Sequence, residues 1–529
     1  MTTTLTFHGA AGTVTGSCFR LDTANGSVLV DCGLFQGPKT LRELNYGRFP
    51  FEPARIDAVL LTHAHIDHAG LLPKLVKHGY QGSIHATPPT IDLSTVMLPD
   101  AAYIQETEVE RINRRDRRKG RADLEPIYTV EDAQRTIERM RPVDLRTWIE
   151  PIPGVRARYW NAGHLLGSAS IEVEVSNGAA APLRLLFSGD VGPRHKLLQP
   201  GPEGPADVDY LLCESTFGAT DRIDFTKEGR RALLAKSVNA ARSRGGALIV
   251  PTFAVERAQE IIADLYVLMR EGAIPHVPVF LDSPLAQKAS EVFRRHADDL
   301  DNPEALIAAL SSPDVRLSTS VEDSKAIGRL KGFFIVMAAS GMCEAGRIRH
   351  HLKEHLWRRD ATVLLVGYQA VGTLGRLLLD GAKMVRIMGT DVRVEATIDL
   401  INAYSGHADA PELVEWISQR LPVKRTLFLV HGEEPNLTAL KERIAPDLVP
   451  ESVVVLPQMD ETFDLEGAHA RALPATHRPR IAPEQAARLD WHNDLTRLLL
   501  DINEEIEKAP DERTRQIILR RLRRALEEA

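Results

Sequence analysis

Three histidines and one aspartate within six consecutive residues constrain this chain more than any other feature. They form the segment His63-Ala64-His65-Ile66-Asp67-His68, which directly follows the apolar, strand-like run Ala58–Leu61. Imidazole and carboxylate groups suit zinc and similar divalent ions, and the end of a strand can aim several of them at one point. A single histidine at such a place is more often structural, but this combination predicts a metal site.

Polar residues capable of chemistry also follow other strand-like runs. They are Asp31 after Ser27–Val30, Asp190 shortly after Leu183–Phe187, and Glu214 after Tyr210–Cys213. Enzymes often carry reactive side chains on loops at strand ends, because the packed strands hold those loops in place. The pattern predicts an active site assembled from several strand ends.

The segment H-x-H-x-D-H resembles the signature of the metallo-β-lactamase fold, an αββα sandwich that carries metal ions at one edge. Three other positions match that family in order: Asp31, His164 in the sequence Ala162-Gly163-His164, and Asp190. In the family, the early aspartate supports the site from behind the metal ligands, and the late aspartate bridges two ions. The resemblance therefore implies a first ion held by His63, His65, His164 and Asp190, and a second ion held by Asp67, His68 and Asp190.

The implied cofactors are two Zn2+ ions, with Mn2+ or another divalent ion as an open alternative. Two ions about 3.5–4 Å apart generate hydroxide at neutral pH and stabilise charge on the attacking and leaving oxygens, which suits phosphodiesters. Enzymes with this fold also hydrolyse lactams, thioesters and lactones, so the fold alone does not select a substrate.

Short apolar runs alternate with helical patterns from about residue 220 to 395. For example, Ala247–Val250 precedes the helical pattern Val255–Met269, and Phe333–Met337 precedes Arg347–Leu356. This alternation predicts βα units and a largely parallel sheet. Polar, site-like residues resume at Ser405, so we expect the block to be a domain inserted into the first one.

The predicted fold class is therefore α/β: a metallo-β-lactamase αββα sandwich with an inserted α/β domain and a helical C-terminal extension. The predicted ranges are 1–218 and 396–465 for the two parts of the sandwich, 219–395 for the insert, and 466–529 for the linker and extension. Within the extension, helical patterns cover 484–505 and 512–528.

Three motifs around the insert resemble motifs A, B and C of the β-CASP subgroup, whose members are nucleases. They are Leu212–Gly218, Ser405–Asp409 and His431–Glu433. The resemblance implies that His407, oriented by Glu214, donates a proton to the leaving oxygen or stabilises it, and that Asp67 orients the attacking hydroxide or serves as its base. His431 would complete the shell of the second ion. RNA-processing members of the subgroup have histidine at this position, whereas the DNA-repair branch typically has valine.

Two glycine-containing segments of the insert are candidate sites for phosphate or RNA. Each precedes a helical pattern, and glycine lets backbone N–H groups approach a phosphate at a helix N-terminus, where nearby arginines add charge. Ordinary turn glycines are the alternative explanation, but both segments resemble β-CASP insert sequences. The candidate residues are Ser340, Gly341, Arg347, Gly372, Thr373 and Arg376. By contrast, we expect His350 and His351 on the polar part of a helix, without a role.

Composition excludes some classes of protein. The chain has 529 residues and a net charge of −7, so as a whole it is not a basic nucleic-acid coat, although a local groove can still be positive. Its four cysteines are scattered without a C-x-x-C pair and indicate no disulfide framework. We find no signal-peptide pattern and no run approaching about 18 apolar residues, and we expect a cytoplasmic protein without membrane contact.

These features together predict an enzyme, a zinc-dependent endoribonuclease that hydrolyses RNA phosphodiester bonds by a two-zinc hydroxide mechanism. Single-stranded RNA is the expected partner, while 5′-exonuclease activity and a homodimer remain open. One alternative is a DNA nuclease of the same superfamily. Another is a non-catalytic RNA-binding subunit of a processing complex, although such paralogues typically lose metal ligands and this chain retains them. A small-molecule hydrolase would leave the large insert without a role.

Overall fold

Eight strands from both ends of the described chain form the first sheet. The structure is a computed structural model, and it describes residues 2–117, 123–176, 178, 181–222, 226–370, 372–475, 480–481, 502, 506 and 509–527. The strands are β1 (Thr4–Phe7), β2 (Phe19–Thr23), β3 (Gly26–Val30), β4 (Ala58–Leu60), β5 (Ser83–Ala86), β6 (Met140–Pro142), β22 (Thr462–Asp464) and β23 (Arg471–Ala472). Their spatial order is β23-β22-β1-β2-β3-β4-β5-β6.

Seven strands form the second sheet, in the order β21-β20-β11-β10-β9-β8-β7. They are β7 (Trp148–Ile152), β8 (Val155–Asn161), β9 (Ala169–Val175), β10 (Leu183–Phe187), β11 (Val208–Glu214), β20 (Val423–Val430) and β21 (Val454–Val455). Strands β11 and β20 are parallel, and Glu214 pairs with Val430. The chain leaves this sheet after β11 and returns in β20, so Glu214 and His431 lie at the same edge.

The two sheets pack face to face because successive residues of a strand point to opposite sides. In β3, Val28 and Val30 join the core between the sheets, whereas Leu29 packs under helices on the outer face. In β10, Leu185 lies in the inner core and Leu186 in the outer cluster. The helices of this part are α1 (Lys39–Glu43), α2 (Ile66–Ala69), α3 (Leu72–Lys77), α4 (Pro88–Arg117), α5 (Val130–Ile137), α13 (Ala410–Ser418) and α14 (Glu434–Ile444). Helices α3 to α5 cover the first sheet and α13 and α14 the second, which confirms the predicted αββα sandwich.

A six-stranded sheet with exclusively parallel pairs occupies the inserted region, in the order β14-β13-β15-β12-β16-β19. Its strands are β12 (Leu248–Pro251), β13 (Val279–Leu281), β14 (Val315–Leu317), β15 (Ile335–Ala338), β16 (Thr362–Leu365) and β19 (Thr397–Leu400). Leu248 and Val250 pack on one face and Ile249 on the other, as expected for a parallel sheet buried on both sides. The surrounding elements are α6 (Lys227–Arg244), α7 (Arg257–Arg270), α8 (Pro284–Arg295), α9 (Pro303–Leu310), α10 (Val321–Ile327), α11 (Ile348–His355), α12 (Leu374–Leu379) and a hairpin of β17 (Met384–Ile387) and β18 (Thr390–Arg393). The predicted parallel sheet is confirmed.

Helix α15 (Glu512–Glu527) lies within the predicted extension, whereas the predicted helix 484–505 lies outside the described residues except for Ile502. Short 3-10 helices occur at Pro53–Arg55, Ala297–Asp299, Asn402–Tyr404 and Glu451–Val453. The four domain ranges stay predictions. The last paired residue of the inserted sheet is Leu400, and the last paired residue of the first sheet is Ala472. None of the helices in the described ranges is long and apolar enough to cross a membrane.

A buried ion pair joins the insert to the loops of the sandwich. Lys196 Nζ lies 3.4 Å from Glu256 Oε1, and both side chains are almost fully buried. Glu256 Oε2 accepts hydrogen bonds from Gln199 Nε2 at 3.0 Å and from the backbone N–H of Leu166 at 3.3 Å. Lys196 also donates to the carbonyl of His164. Because Glu256 directly precedes α7, these contacts fix the insert to the loop that carries His164.

Replacing Lys196 with methionine should leave Glu256 buried without its cation, at a site where burial already raises the pKa of Glu256 to about 7. Removing one partner of a buried pair typically costs about 3–5 kcal/mol of stability. The double variant Lys196→Met/Glu256→Gln should lose markedly less than the sum of the two single variants, as measured by urea denaturation. The exposed pair Lys424–Asp207 provides the control, and Lys424→Met should cost less than about 1 kcal/mol. Additive losses would contradict the buried pair.

Acid sensitivity should arise from His355, whose two ring nitrogens are buried without a hydrogen-bond partner in the described part of the chain. Burial, and next the charge of Arg358, lower the pKa of His355 to about 4, whereas an unfolded histidine titrates near 6.5. Protonation therefore favours the unfolded state, and stability is lost as pH falls from about 6.5 towards 4. Relative to wild type, His355→Leu should gain about 1–3 kcal/mol between these pH values. Parallel pH profiles of unfolding for the two proteins would refute the prediction.

Candidate metal centre

The predicted metal and catalytic residues lie at one edge of the sandwich. They are Asp31 after β3, His63 and His65 after β4, Asp67 and His68 in α2, His164 between β8 and β9, Asp190 after β10, Glu214 at the end of β11, His407 after the 3-10 helix Asn402–Tyr404, and His431 after β20. Strands β3 and β4 are parallel, as are β10, β11 and β20, so within each group the carboxyl ends share an edge. The turn after β3 contacts α2 closely, since a Cβ at Gly33 would lie only 1.6 Å from the Asp67 carbonyl oxygen.

One group of donor atoms surrounds Asp190 Oδ2. His63 Nε2 and His164 Nε2 lie 3.4 and 3.5 Å from this oxygen. His65 Nδ1 lies 3.2 Å from His63 Nε2 and 3.0 Å from His164 Nε2. Three imidazole nitrogens and one carboxylate oxygen therefore converge on a single point, and the ligand atoms of these four residues all lie within 4.8 Å of one another.

A second group surrounds Asp190 Oδ1. His68 Nε2 lies 3.2 Å and His431 Nε2 3.7 Å from this oxygen, and the two nitrogens are 3.2 Å apart. Asp67 Oδ2 lies 3.8 Å from His431 Nε2. The two oxygens of one buried carboxylate thus face two separate sets of donors.

Hydrogen bonds behind the histidines determine which ring nitrogens are free. His68 Nδ1 lies 2.7 Å from Asp31 Oδ2, and His164 Nδ1 lies 2.7 Å from the carbonyl of Gly406. Both partners only accept, so each neutral ring donates through Nδ1 and directs a lone pair from Nε2 into the site. A Cβ at Gly406 would lie 2.9 Å from His164 Cε1, so glycine permits this close approach.

Two threonines give the same orientation to His63 and His431. The Thr62 hydroxyl lies 2.9 Å from Asp31 Oδ2 and 3.0 Å from His63 Nδ1, so it donates to Asp31 and accepts from His63. The Thr216 hydroxyl donates to the His431 carbonyl at 3.2 Å and accepts from His431 Nδ1 at 3.1 Å. In their neutral form, the form that can bind a metal ion, His63 and His431 therefore direct the lone pair of Nε2 into the site.

The electrostatics of the centre favour bound positive charge. Burial by itself would raise the pKa of Asp190, but His431, His68 and His63 together hold it well below its usual value. Burial lowers the pKa of His68, yet Asp190 and Asp31 outweigh it and hold that pKa well above the ordinary range. Asp190 Oδ1 is buried and accepts no hydrogen bond from the described residues. Unpaired buried donors and acceptors are costly, so this set of ligands fits divalent cations.

His407 and Glu214 form a pair beside the centre. His407 Nδ1 lies 3.1 and 3.3 Å from the two Glu214 oxygens, which also accept from the backbone N–H groups of Val191 at 2.7 Å and Thr216 at 3.2 Å. Glu214 is fully buried, whereas the His407 side chain is 21% exposed. Since Nδ1 is occupied by Glu214, His407 retains Nε2 for proton transfer.

The six predicted phosphate-binding residues lie in two segments that contact each other, each consisting of a loop and the start of the helix that follows it, α11 or α12. The N–H of Gly375 donates to the Met342 carbonyl at 3.1 Å, and Gln369 Nε2 donates to the Gly341 carbonyl at 3.2 Å. In the first loop, Ser340 Oγ accepts from the N–H of Ala345 at 3.2 Å. In the second, Gly372 has a φ of 85°, and Thr373 Oγ1 accepts from the N–H of Arg376 at the start of α12. The phosphate-binding role of the six residues stays a prediction.

Both predicted arginines already have carboxylate partners. Arg347 Nη1 lies 2.6 Å from Asp282 Oδ1, and Arg376 Nε lies 2.9 Å from Asp380 Oδ1. The expectation for His351 was wrong: its ring is buried, and Nε2 lies 2.6 Å from the second Asp282 oxygen. The helical pattern placed His351 on a polar face, but the fold brings that residue against Asp282, which directly follows β13.

Sequence reasoning identified Asp31 but missed other residues that orient the ligands. Thr62 directly precedes His63 at the strand end, and Thr216 lies in the motif that contains Glu214, so position alone could have suggested both. Lys196, which donates to the His164 carbonyl, gave no such signal because its partner Glu256 is distant in the chain.

Three regions of the chain match known families. Residues 11–227 match the metallo-β-lactamase superfamily, residues 258–378 match the Beta-Casp domain, and residues 391–452 match the Zn-dependent metallo-hydrolase RNA specificity domain. The order of the matches agrees with a sandwich interrupted by an insert.

Similar proteins extend over most of the chain. Ribonuclease TTHA0252 of Thermus thermophilus is 36% identical over 83% of this chain and 95% of its own length. Transcription termination factor FttA of Methanosarcina mazei is 28% identical over 81% of this chain and 67% of its own length. The crystal structure of a protein of unknown function from Enterococcus faecalis V583 covers 87% of this chain and 99% of its own, with a TM-score of 0.50 and 13% identity, and it supports the fold alone. The chain belongs to the β-CASP family of the metallo-β-lactamase superfamily.

Proposed function

We propose that this chain is a zinc-dependent endoribonuclease that hydrolyses the phosphodiester bonds of single-stranded RNA. The position of Asp190 carries the proposal, because its two oxygens lie 3.2–3.5 Å from histidine nitrogens of two separate groups. Such a carboxylate suits a bridge between two ions. One Zn2+ would be held by His63, His65, His164 and Asp190, and the other by Asp67, His68, His431 and Asp190.

The ions, when bound, would lower the pKa of a water molecule and neutralise charge on the phosphate. Asp67 is partly exposed and lies 3.8 Å from His431, where it is positioned to orient the attacking water or accept its proton. His407 would donate a proton through Nε2 to the leaving oxygen, while Glu214 holds the ring by Nδ1. Asp31 would act through His68, which it orients.

RNA is favoured over DNA by three observations. His431 lies at the motif C position, where the RNA-processing members of the subgroup also have histidine. Residues 391–452 match the RNA specificity domain. The relative with 36% identity is named a ribonuclease. A DNA nuclease therefore has less support, and the retained ligands argue against a non-catalytic RNA-binding subunit.

Several finer points belong to the same proposal. Mn2+ could replace Zn2+, and 5′-exonuclease activity could accompany endonuclease activity. Two segments of the insert would contact the RNA backbone through Ser340, Gly341, Arg347, Gly372, Thr373 and Arg376. Arg347 and Arg376 would then bind phosphate while they remain paired with Asp282 and Asp380. The homodimer and the cytoplasmic location stay predictions.

The proposal is tested by incubating the zinc-loaded protein with single-stranded RNA and DNA of the same sequence and identifying the product ends. We expect preferential RNA cleavage that leaves 5′-phosphate and 3′-hydroxyl ends, because water attacks phosphorus. Asp190→Ala should lose both metal and activity. Preferential DNA cleavage would refute the substrate, and 2′,3′-cyclic phosphate ends would refute hydrolysis by water.

Replacing His407 with alanine should separate proton transfer from metal binding. We expect RNA cleavage to slow by about 10²–10⁴-fold, the usual contribution of a positioned acid, with metal content equal to that of wild type by mass spectrometry. The exposed His276 provides the matched control, and His276→Ala should retain the wild-type rate. If His407→Ala lost metal, His407 would be a ligand and its assignment as the acid would be incorrect.

A further inference from the structure

Three aromatic side chains, Phe217, Tyr368 and Phe253, form a strip that leads from His407 onto the inserted domain. The Phe217 ring centroid lies 6.0 Å from that of His407 and 6.3 Å from that of Tyr368, both in edge-on geometry. Tyr368 is 47% exposed and Phe253 38% exposed. We call these three residues the aromatic strip.

Arg257 lies between the Phe253 ring and the loop that carries Tyr368, and these two residues follow the neighbouring parallel strands β12 and β16. Its guanidinium lies 4.6 Å from the Phe253 ring centroid, and it closely approaches Gly367, the residue before Tyr368. Its Nε donates to the Tyr404 carbonyl at 2.9 Å, so its position is fixed. The far end of the strip reaches the first predicted phosphate-binding loop, because a Cβ at Gly341 would lie 2.8 Å from the Phe253 ring.

A second arginine places charge at the near end of the strip. The Arg222 guanidinium lies 4.2 Å above the Phe217 ring centroid, and Arg222 Nη1 donates to the His407 carbonyl at 2.9 Å. Both arginines are thus held against aromatic rings. A strip with fixed cations and exposed rings combines the two features that proteins use to bind single strands, charge for the backbone and π-faces for the bases.

The exposure of Tyr368 and Phe253 has no structural explanation in the core of the insert. Aromatic rings contribute most when buried. Phe253 lies two residues after β12 and Tyr368 three residues after β16, and the apolar residues of both strands are buried. Their exposure beside the catalytic centre is therefore better explained by a ligand with flat apolar faces. RNA bases have such faces, and single-stranded bases are free to stack on aromatic side chains.

We propose that Tyr368 and Phe253 stack the bases of nucleotides on one side of the scissile phosphate, with Phe217 between them and His407. The inference rests on the proposed ribonuclease function and adds a base-binding subsite to it. Stacking tolerates every base, so the subsite selects for unpaired nucleotides rather than for a sequence. Double-stranded RNA, whose bases are already stacked on one another, would not occupy it.

The test combines variants of Tyr368 with short single-stranded RNAs that have one dominant cleavage site and carry one abasic nucleotide at each position in turn. For wild type, kcat/KM should fall about 5- to 150-fold when the abasic nucleotide occupies the stacked position, mainly through KM. Tyr368→Ala should show the same loss with intact RNA and no further loss with that abasic RNA. Tyr368→Phe should behave as wild type, and Tyr368→Leu as Tyr368→Ala. Tyr103, 64% exposed on α4, provides the matched control, and Tyr103→Ala should leave all rates unchanged.

The outcomes separate the inference from the function on which it rests. An active enzyme in which the Tyr368→Ala and abasic effects multiply, or in which Tyr368→Leu equals wild type, would overturn the stacking subsite and leave the ribonuclease intact. A zinc-loaded protein that neither binds nor cleaves RNA would overturn both. Phe253→Ala repeats the test at the other exposed ring, with metal content measured to confirm that the centre is preserved.

Discussion

The carboxylate of Asp190 lies between two sets of histidine nitrogens, and the arrangement of both sheets serves to hold it there. A buried carboxylate is unfavourable unless positive charge compensates it, and here that compensation comes from His68, His63 and His431, which hold its pKa well below the usual value. Strands β10, β11 and β20 run parallel, so Asp190, Glu214 and His431 share one edge. Strands β3 and β4 bring Asp31, His63 and His65 to that edge from the other sheet. The sandwich thus brings residues that are far apart in the sequence to the carboxylate of Asp190.

The insert contributes to this centre although none of the proposed metal ligands lies on its strands. It interrupts the sandwich between β11 and β20, whose pairing remains continuous from Leu211 to Glu214. Glu256 of the insert pairs with Lys196, which donates to the His164 carbonyl. Arg222, near the start of the insert, donates to the His407 carbonyl. A movement of the insert would therefore displace His164 and His407 together. This coupling suits an enzyme whose substrate lies between the two parts.

How much of the fold and of the site could be predicted from the sequence depended on how far apart the interacting residues lie in the chain. The cluster from His63 to His68 is local, and its resemblance to a known family implied the sandwich. The βα alternation of the insert follows from periodicity, so the parallel sheet was predicted from the sequence pattern itself. The partner of Arg347 was not, because Asp282 is distant in the chain. Asp380, by contrast, lies one helical turn after Arg376, so helical spacing alone could have paired them. His351 failed for the same reason as Arg347: helical spacing shows which residues share a face, but not what covers that face.

The loop from Ser405 to His407 orients one histidine of the centre, His164, and carries another, His407. Its Gly406 carbonyl accepts from His164 Nδ1 at 2.7 Å and so fixes the tautomer of a metal ligand. One residue later, His407 takes its own orientation from Glu214, and the two imidazole rings lie 4.6 Å apart. The loop thus sets the distance between His407, the proposed proton donor, and His164 by a single peptide unit, which is too short to vary much. A fixed spacing of this kind suits a reaction in which the leaving oxygen must receive its proton while the same phosphate contacts the metal centre.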